Sequence, residues 1–253
     1  MSWFAPNLPQ EKHCFFGAEG GVSTGKYASL NANHKSLDKP ENITRNYEII
    51  CSRFGLSFAN LSRLSQDVSA DAVYIERPGF LEFKADGAVT DKPGIILAIG
   101  TADCAPVLLA DYRNGVIGAA HGGWRGAFKG IVENTVALML EKGAQTEYIA
   151  AAIGPCIQQQ SFEMGAEVYE LFLEQNPDND RYFIPGTREG RYMLDLSAYI
   201  LDKLQTLGIV NAVDSGIDTY AEPGKYFSYR RNTHLGLIDA PADFPVELST
   251  ITL

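Results

Sequence analysis

Two apolar runs joined by a short polar turn, residues 106–111 and 116–120, constrain the fold more than any other stretch of this sequence. The turn at 112–115 contains an Asn-Gly pair, which is a strong signal for a β-hairpin. If the two runs pair as antiparallel strands, His121 returns to within a residue or two of the position opposite Cys104. Side chains directly opposite on paired strands lie about 5 Å apart. The pattern therefore predicts a cysteine and a histidine close together at the end of a buried hairpin.

A cysteine that faces a histidine supports two kinds of chemistry, and a third interpretation is purely structural. In the first, Cys104 is a nucleophile whose thiolate is stabilised by His121 and a nearby helix N-terminus. In the second, both side chains bind zinc, and a third ligand leaves one coordination position open for an activated water. The structural alternative is a buried cysteine beside a hydrogen-bonded histidine, since free cysteine is among the most buried residue types. The spacing leaves all three open.

The apolar pattern of the 253 residues, 45% of which are hydrophobic, predicts one domain of mixed α and β structure. The run at 95–99 is continuously apolar, which indicates a strand covered on both faces. No internal repeat and no Pro/Ser-rich linker divides the chain. We therefore expect a single domain of the α/β (mixed α+β) class over residues 1–253. Helices are predicted over residues 40–54, after residue 126, after Ser161 as N-cap, and over 196–207.

The charge and hydropathy of the chain argue against several classes of partner. The net charge is −10 and no dense cluster of Lys and Arg is present, so nucleic acid is not expected as a partner. No apolar run approaches the roughly 20 residues that span a bilayer, and residues 1–10 lack the pattern of a secretory signal. The four cysteines are widely spaced without a CxxC pair. We expect a cytoplasmic location, where disulfides are rare.

Two segments are suited to binding an anion. Glycines 122 and 123 precede a predicted helix and would expose backbone N–H groups, and Arg125 would complete such a site. Arg230 and Arg231 follow aromatic residues, and arginine provides bidentate recognition of phosphate or carboxylate.

His34, among polar residues, is predicted to lie in a solvated loop. Cys156 is predicted to serve packing.

Several motifs occur in order along nearly the whole chain, namely Gly20-Gly-Val-Ser23, Ser29-Leu-Asn31, Ala85-Asp86, Thr101-Ala-Asp-Cys104, Ala120-His121-Gly-Gly-Trp-Arg125-Gly, Ile153-Gly-Pro-Cys156 and Phe227-Ser-Tyr-Arg-Arg231. With them the sequence closely resembles the bacterial laccase-domain family, whose members have been called polyphenol oxidases and purine nucleoside phosphorylases with adenosine deaminase activity. The resemblance implies a single-domain layered α-β sandwich, similar to the fold of toxins with a catalytic Cys–His pair. It also implies phosphorolysis of adenosine, inosine and methylthioadenosine, with purine nucleoside and phosphate as partners.

The same resemblance implies roles for individual residues. Cys104 and His121 match two zinc ligands and are the expected catalytic residues. Substrate contacts are expected from Asn31, Asp103, Arg125 and Arg230. For Arg125 and Arg230 the expected contact is with phosphate or ribose, and it is inferred from the chemistry of these residues and not read from the motifs.

The third zinc ligand of the family is missing from this chain. The family's Gln-Val-His-Ser motif falls on residues 66–69, which places Val68 where the histidine stands. An isopropyl group cannot bind a metal. Zinc is therefore expected to be weak or absent unless a neighbour such as Asp67 or His34 supplies a ligand.

Two arginines of the family pattern are also missing. Tyr47 stands in place of the arginine of an Asn-Arg pair, and Val246 in place of the arginine of a Gly-Arg-Gln motif. Two donors for an anionic substrate are thereby lost.

Three functional hypotheses follow. The first is a purine nucleoside phosphorylase and adenosine deaminase with weakened metal binding. The second is a metal-independent Cys–His hydrolase that edits a cell-wall peptide intermediate, as has been proposed for relatives. The third is a binding protein that has lost the chemistry. Oxidation of polyphenols by copper is not expected, since multicopper sites need many histidines and this chain has four. The sequence does not predict an oligomeric state.

Overall fold

The structure is a computed structural model that describes residues 2–253, and for residues 81–83 it describes the backbone but not the side chains. The strands are β1 (His13–Phe15), β2 (Leu61–Ser65), β3 (Ala72–Tyr74), β4 (Gly79–Lys84), β5 (Gly87–Thr90), β6 (Ile96–Thr101), β7 (Ala105–Asp111), β8 (Val116–Gly122), β9 (Ala150–Ile153), β10 (Glu163–Gly165), β11 (Phe183–Pro185), β12 (Arg191–Leu194), β13 (Asn211–Asp214) and β14 (Glu247–Thr252). The α-helices are α1 (Pro40–Ser52), α2 (Trp124–Lys129), α3 (Ile131–Glu141), α4 (Ala166–Gln175), α5 (Leu196–Thr206) and α6 (Tyr229–His234). Short 3₁₀ helices occupy Gly25–Tyr27, Phe58–Asn60, Thr146–Tyr148, Gln159–Ser161 and Pro177–Tyr182.

Two mixed sheets pack face to face and form the centre of the molecule. One has the strand order β1-β14-β6-β2-β4 and the other β13-β9-β7-β8-β5-β3. Apolar side chains of β6, β7 and β8, among them Leu97, Leu108 and Ile117, fill the space between the sheets. The outer face of the second sheet packs against α2, α3 and α5, and that of the first against α1. The predicted layered α-β sandwich of mixed class is confirmed.

The predicted hairpin is present and longer than expected, because β7 and β8 extend to Ala105 and Gly122. Pro106 pairs with His121, so the position opposite Cys104 lies two residues beyond the histidine. Asp111 stabilises the turn by accepting hydrogen bonds from the backbone N–H of Asn114 at 2.9 Å and from its amide at 2.7 Å. The predicted proximity of cysteine and histidine is confirmed.

The predicted limits of two helices and the predicted burial of β6 are confirmed. Helix α1 begins at Pro40, and Gly55 beyond its end has a φ of 66°. Helix α5 ends at Thr206, two residues before Gly208 with a φ of 84°. Every residue of β6 is buried, as a strand covered on both faces requires. Among residues 2–253, no helix combines the length and the apolar character needed to cross a membrane.

Two helix predictions need correction. The helix expected after residue 126 is two helices, because α2 already begins at Trp124 and Gly130, with a φ of 100°, separates it from α3. Ser161 does not cap a helix. It donates a hydrogen bond to Asp218 at 2.6 Å, and β10 intervenes before α4, whose N-cap is Gly165.

Candidate active site

His121 forms a buried pair with Asp86. The Nδ1 atom of His121 lies 2.7 Å from Oδ1 of Asp86, and the side chain of Asp86 is fully buried. Strand β5 brings the two together, because it pairs with β8 and Asp86 immediately precedes it. A carboxylate at Nδ1 fixes the ring orientation and leaves Nε2 for the other side of the site. His121 also interacts with the side chain of Cys104.

The proton on His121 is held by its neighbours. Burial by itself would lower the pKa of His121, but its interactions with the side chains of Cys104 and Asp86 raise that pKa to about 10. Burial likewise opposes ionisation of Asp86, but the hydrogen bond from His121 and the contacts with Ser69 lower its pKa to about 2. At neutral pH the pair is therefore an imidazolium and a carboxylate.

Asp86 also shapes the loop that faces the pair. Its carboxylate accepts hydrogen bonds from the backbone N–H groups of Asp67 at 3.2 Å, Val68 at 3.1 Å and Ser69 at 2.6 Å. The Ser69 hydroxyl adds a bond of 2.8 Å. Asp86 is a site residue that we did not predict from the sequence. The Ala85-Asp86 motif is the sequence signal that could have indicated its role.

Val68 projects towards the cysteine and the histidine. A Cβ atom placed on Gly123 would lie 3.2 Å from Cys104 Sγ, 3.4 Å from Val68 Cγ1 and 3.7 Å from His121 Cε1, so the three side chains converge around one point. Val68 has a φ of 55°. This left-handed conformation is an outlier for a β-branched residue, whereas histidine, asparagine and aspartate adopt it more readily. The backbone thus presents residue 68 to the pair in a geometry that suits a histidine better than a valine.

The side chains around this point do not fit a three-ligand zinc site. Cys104 and His121 offer two donors, and Val68 offers none. Asp67 instead pairs with Lys84 at 2.8 Å on the surface, and His34 packs edge-on against Phe80. Among the described side chains there is no group of three or more His, Cys, Asp or Glu residues arranged to hold a metal ion. The same donor count fits neither zinc nor a multicopper centre.

A cavity of about 500 Å³ opens beside the pair and gathers most of the predicted site residues. Cys104, His121, Asp103, Arg125 and Arg230 all line it. Its wall also carries aromatic rings and further polar groups, namely Trp124, Phe162, Tyr229, Phe244, Asn33, His34, Lys35, Arg63, Gln66 and Thr101.

Asn31 is the predicted site residue that does not line the cavity. It is fully buried, and its amide oxygen accepts from the backbone N–H groups of Asn33 and Val246. Its amide nitrogen donates to Ser36 and Asp38. With its hydrogen-bonding capacity used inside the protein, Asn31 holds the loop that carries Asn33, and its direct contact with substrate stays a prediction without structural support.

Asp103 lines the cavity, but its carboxylate is engaged. Oδ1 accepts from Thr219 at 2.7 Å, and Oδ2 accepts from the Ser228 hydroxyl at 2.9 Å and from the backbone N–H of Arg230 at 2.7 Å. Burial raises its pKa, and these three donors oppose that effect. Asp103 thus fixes the start of α6 against the hairpin.

The two neighbouring arginines have different positions. Arg230 lines the cavity, donates to the carbonyl of Glu163 at 2.9 Å and lies over the ring of Phe162. Arg231 instead donates to backbone carbonyls, those of Thr219, Tyr220 and Tyr226. Of the predicted arginine pair, only Arg230 is available to a ligand in the cavity.

The other candidate residues lie where packing or solvent places them. Cys156 is fully buried, and desolvation raises its pKa well above the ordinary value, which agrees with a packing role. His34 is exposed, as expected of a loop residue, but it stands on the cavity rim. His13 is buried in β1 and accepts from the backbone N–H of Ala5 at 2.8 Å. His234 lies on the surface beside Tyr220.

Known proteins resemble this chain in sequence and in fold. The sequence model of the family described as multi-copper polyphenol oxidoreductase laccase matches residues 12–238. A protein of Deinococcus radiodurans named purine nucleoside phosphorylase is 39% identical over 229 residues, which cover 90% of this chain and 86% of that protein. A protein of Rickettsia conorii with the same activity in its name is 38% identical over 213 residues, covering 81% and 86%. The crystal structure of a Neisseria meningitidis protein superimposes with a TM-score of 0.84 at 30% identity, covering 100% of this chain and 98% of its own. The chain therefore belongs to the multi-copper polyphenol oxidoreductase laccase family.

Proposed function

We propose that this protein cleaves purine nucleosides by phosphorolysis in the cavity beside Cys104 and His121. The observation that carries the proposal is the buried His121–Asp86 pair, which offers a proton to a cavity of nucleoside size. Cavities of about 300–1,000 Å³ are usual for small ligands, and this one of about 500 Å³ is in that range. Relatives that cover most of the chain carry the name purine nucleoside phosphorylase.

Phosphorolysis of a nucleoside requires a proton donor for the departing base and positively charged groups that bind phosphate. In phosphorolysis the bond between ribose C1′ and the purine nitrogen breaks, and a bond from C1′ to a phosphate oxygen forms. Negative charge develops on the departing purine. His121 is protonated at neutral pH and donates that proton from Nε2, while Asp86 stabilises the ring orientation. Base and ribose 1-phosphate are the products.

Aromatic and cationic side chains of the cavity wall suit the remaining parts of the substrate. The rings of Trp124, Phe162 and Tyr229 offer faces on which a purine stacks. Arg125 is exposed at the cavity, where its guanidinium lies 4.3 Å from the Trp124 ring centroid. It is suited to contacts with ribose or phosphate.

Adenosine deamination is not part of the proposal. Its attacking water is commonly activated by a metal held by three protein ligands, and the donors around Cys104 do not fit such a site. Phosphorolysis draws on the protein's own proton donor. We therefore expect nucleoside cleavage that resists a chelator.

The test is product analysis with chelator-dialysed protein. Adenosine, inosine and methylthioadenosine are each incubated with and without phosphate, and free base and ribose 1-phosphate are quantified by chromatography. We expect both products only with phosphate, and loss of at least 100-fold in rate for His121→Gln. Absence of base release at high protein concentration would contradict the proposal, and inosine formed from adenosine would show deamination instead.

A second candidate, a Cys–His hydrolase, is favoured by one observation. Cys104, His121 and Asp86 follow one another in the order of nucleophile, base and orienting carboxylate. Base release without phosphate, abolished by iodoacetamide and in Cys104→Ser, would support this candidate over the first.

A further inference from the structure

Arg63 is a buried cation on the wall of the same cavity. Its side chain arises from β2 and only 6% of the residue is exposed. Its Nη1 donates to the carbonyl of Ala32 at 2.5 Å and to the hydroxyl of Tyr47 at 2.9 Å. Nε is buried without a hydrogen-bond partner. Arginine rarely lies in a protein interior unless its charge is paired.

No carboxylate balances this guanidinium among the side chains that the structure describes. The hydrogen bonds of Arg63 go to neutral oxygens, and the acidic groups nearby are engaged elsewhere. Glu247, in β14 next to β6, is buried, and its Oε2 is engaged elsewhere because it accepts a hydrogen bond from the backbone N–H of Phe227 at 2.8 Å. Burial raises the pKa of this carboxyl well above its ordinary value. Lys35 on the cavity rim adds a second positive charge.

Gly100 of β6 lies against the guanidinium of Arg63, since a Cβ atom added there would lie 2.5 Å from Nη2 of Arg63. The absence of a side chain at residue 100 is what makes room for the guanidinium.

The surroundings of Arg63 include two positions at which arginine is missing. Tyr47 accepts a hydrogen bond from Arg63, and Val246 Cγ2 lies 3.3 Å from the Cβ position of Gly100. Both residues stand where the family pattern has arginine. Arg63 is therefore the cation that remains beside these two positions.

We propose that Arg63, with Lys35, forms a phosphate-binding subsite in this cavity. An oxyanion would accept from the guanidinium of Arg63 where it lines the cavity and from the ammonium group of Lys35 at the rim. This inference rests on the proposed function for the identity of the anion, which is inorganic phosphate as co-substrate. Arg63 is not part of the Cys104–His121 pair, so the phosphate subsite can be tested separately from that pair.

The first experiment measures binding without turnover. Thermal unfolding and isothermal titration calorimetry are recorded with inorganic phosphate, against chloride at equal ionic strength, for the unmodified protein, Arg63→Met and the control Arg45→Met. Met keeps an unbranched side chain while removing the charge, and Arg45 is exposed on α1 in an ion pair with Glu48. We expect phosphate to bind the unmodified protein and the Arg45 variant, and to bind Arg63→Met at least about tenfold more weakly. Because the charge of Arg63 is unpaired, the variant should unfold at no lower temperature than the parent in chloride.

A second variant changes the position of the guanidinium and keeps its charge. Gly100→Ala displaces Nη2, and we expect it to weaken phosphate binding about as much as Arg63→Met does. Equal binding by parent, Arg63→Met and Gly100→Ala would overturn the subsite, as would absence of phosphate binding to the parent. Binding of adenosine 5′-monophosphate that depends on Arg63, without binding of inorganic phosphate, would also overturn it.

The outcomes for subsite and activity are separable. Phosphate binding that depends on Arg63 in a protein that cleaves no nucleoside would leave the subsite standing and refute the proposed function. Nucleoside cleavage whose KM for phosphate is unchanged in Arg63→Met would do the reverse.

Discussion

At the scale of single residues, Val68 decides what the site can hold. Its side chain meets Cys104 and His121 around the point next to Gly123, and its backbone is left-handed with a φ of 55°. The resemblance to the family predicts that a metal ligand is missing at this position. The direction of the Val68 side chain could not be predicted from the sequence. It depends on three hydrogen bonds from the backbone N–H groups of the loop that carries Val68 to Asp86, which lies nearly twenty residues further along the chain.

Replacement of this valine should create a metal site. In Val68→His the imidazole would join Cys104 and His121 as a third donor, and histidine tolerates the left-handed backbone better than valine does. We expect one zinc per chain by metal analysis after dialysis, with none in Val68→Ala. Loss of that zinc in Val68→His combined with Cys104→Ser is the control. A Val68→His protein that retains no zinc would show that the three side chains do not converge as described.

Asp86 should make stability dependent on pH in the acid range. Its pKa is about 2 in the folded protein against an ordinary value of 3.8. The folded state therefore binds fewer protons than the unfolded state between about pH 4 and 2, so this contribution of about 2 kcal/mol is fully present above pH 4 and is lost as the pH falls. In urea unfolding, the free-energy difference between the parent and Asp86→Asn should shrink from pH 5 to pH 3. A difference that stays constant would contradict the assignment.

At the scale of elements, the sequence predicted structures that depend on neighbouring residues, but it did not predict contacts between distant parts of the chain. The hairpin of β7 and β8 could be predicted because its turn and both strands lie within 20 residues. Asp86 could not be placed beside His121, since that contact requires β5 to pair with β8 across the chain. The expected Ser161 cap was wrong for a related reason: a tertiary bond to Asp218 outcompeted the local helix signal.

The break between α2 and α3 depends on one glycine. Gly130 has a φ of 100°, which L-residues adopt only with strain. Gly130→Ala should lower the free energy of unfolding by about 1 kcal/mol, measured in urea. Gly130→Asn should lose less, because asparagine tolerates left-handed backbone better. Equal stability of the Ala variant and the parent would mean that the break does not require this conformation.

At the scale of the whole molecule, an acidic protein encloses a basic cavity. The net charge of −10 gave no sign of this, because composition does not say which side chains face the same space. Among the described lining residues, Lys35, Arg63, Arg125 and Arg230 are cationic and Asp103 is the one carboxylate. Such a cavity attracts an anion even though the net negative charge of the protein repels anions. The sequence predicted Arg125 and Arg230, but Arg63 lies in a strand that carried no motif.

We propose that this cavity performs phosphorolysis with the protein's own proton donor. The rate of purine release from inosine by chelator-dialysed protein, measured as phosphate is increased, tests this proposal. We expect saturable, phosphate-dependent release with ribose 1-phosphate in equal amount, unchanged by continued presence of the chelator. Release that vanishes with the chelator and returns with zinc, or no release at any phosphate concentration, would contradict it.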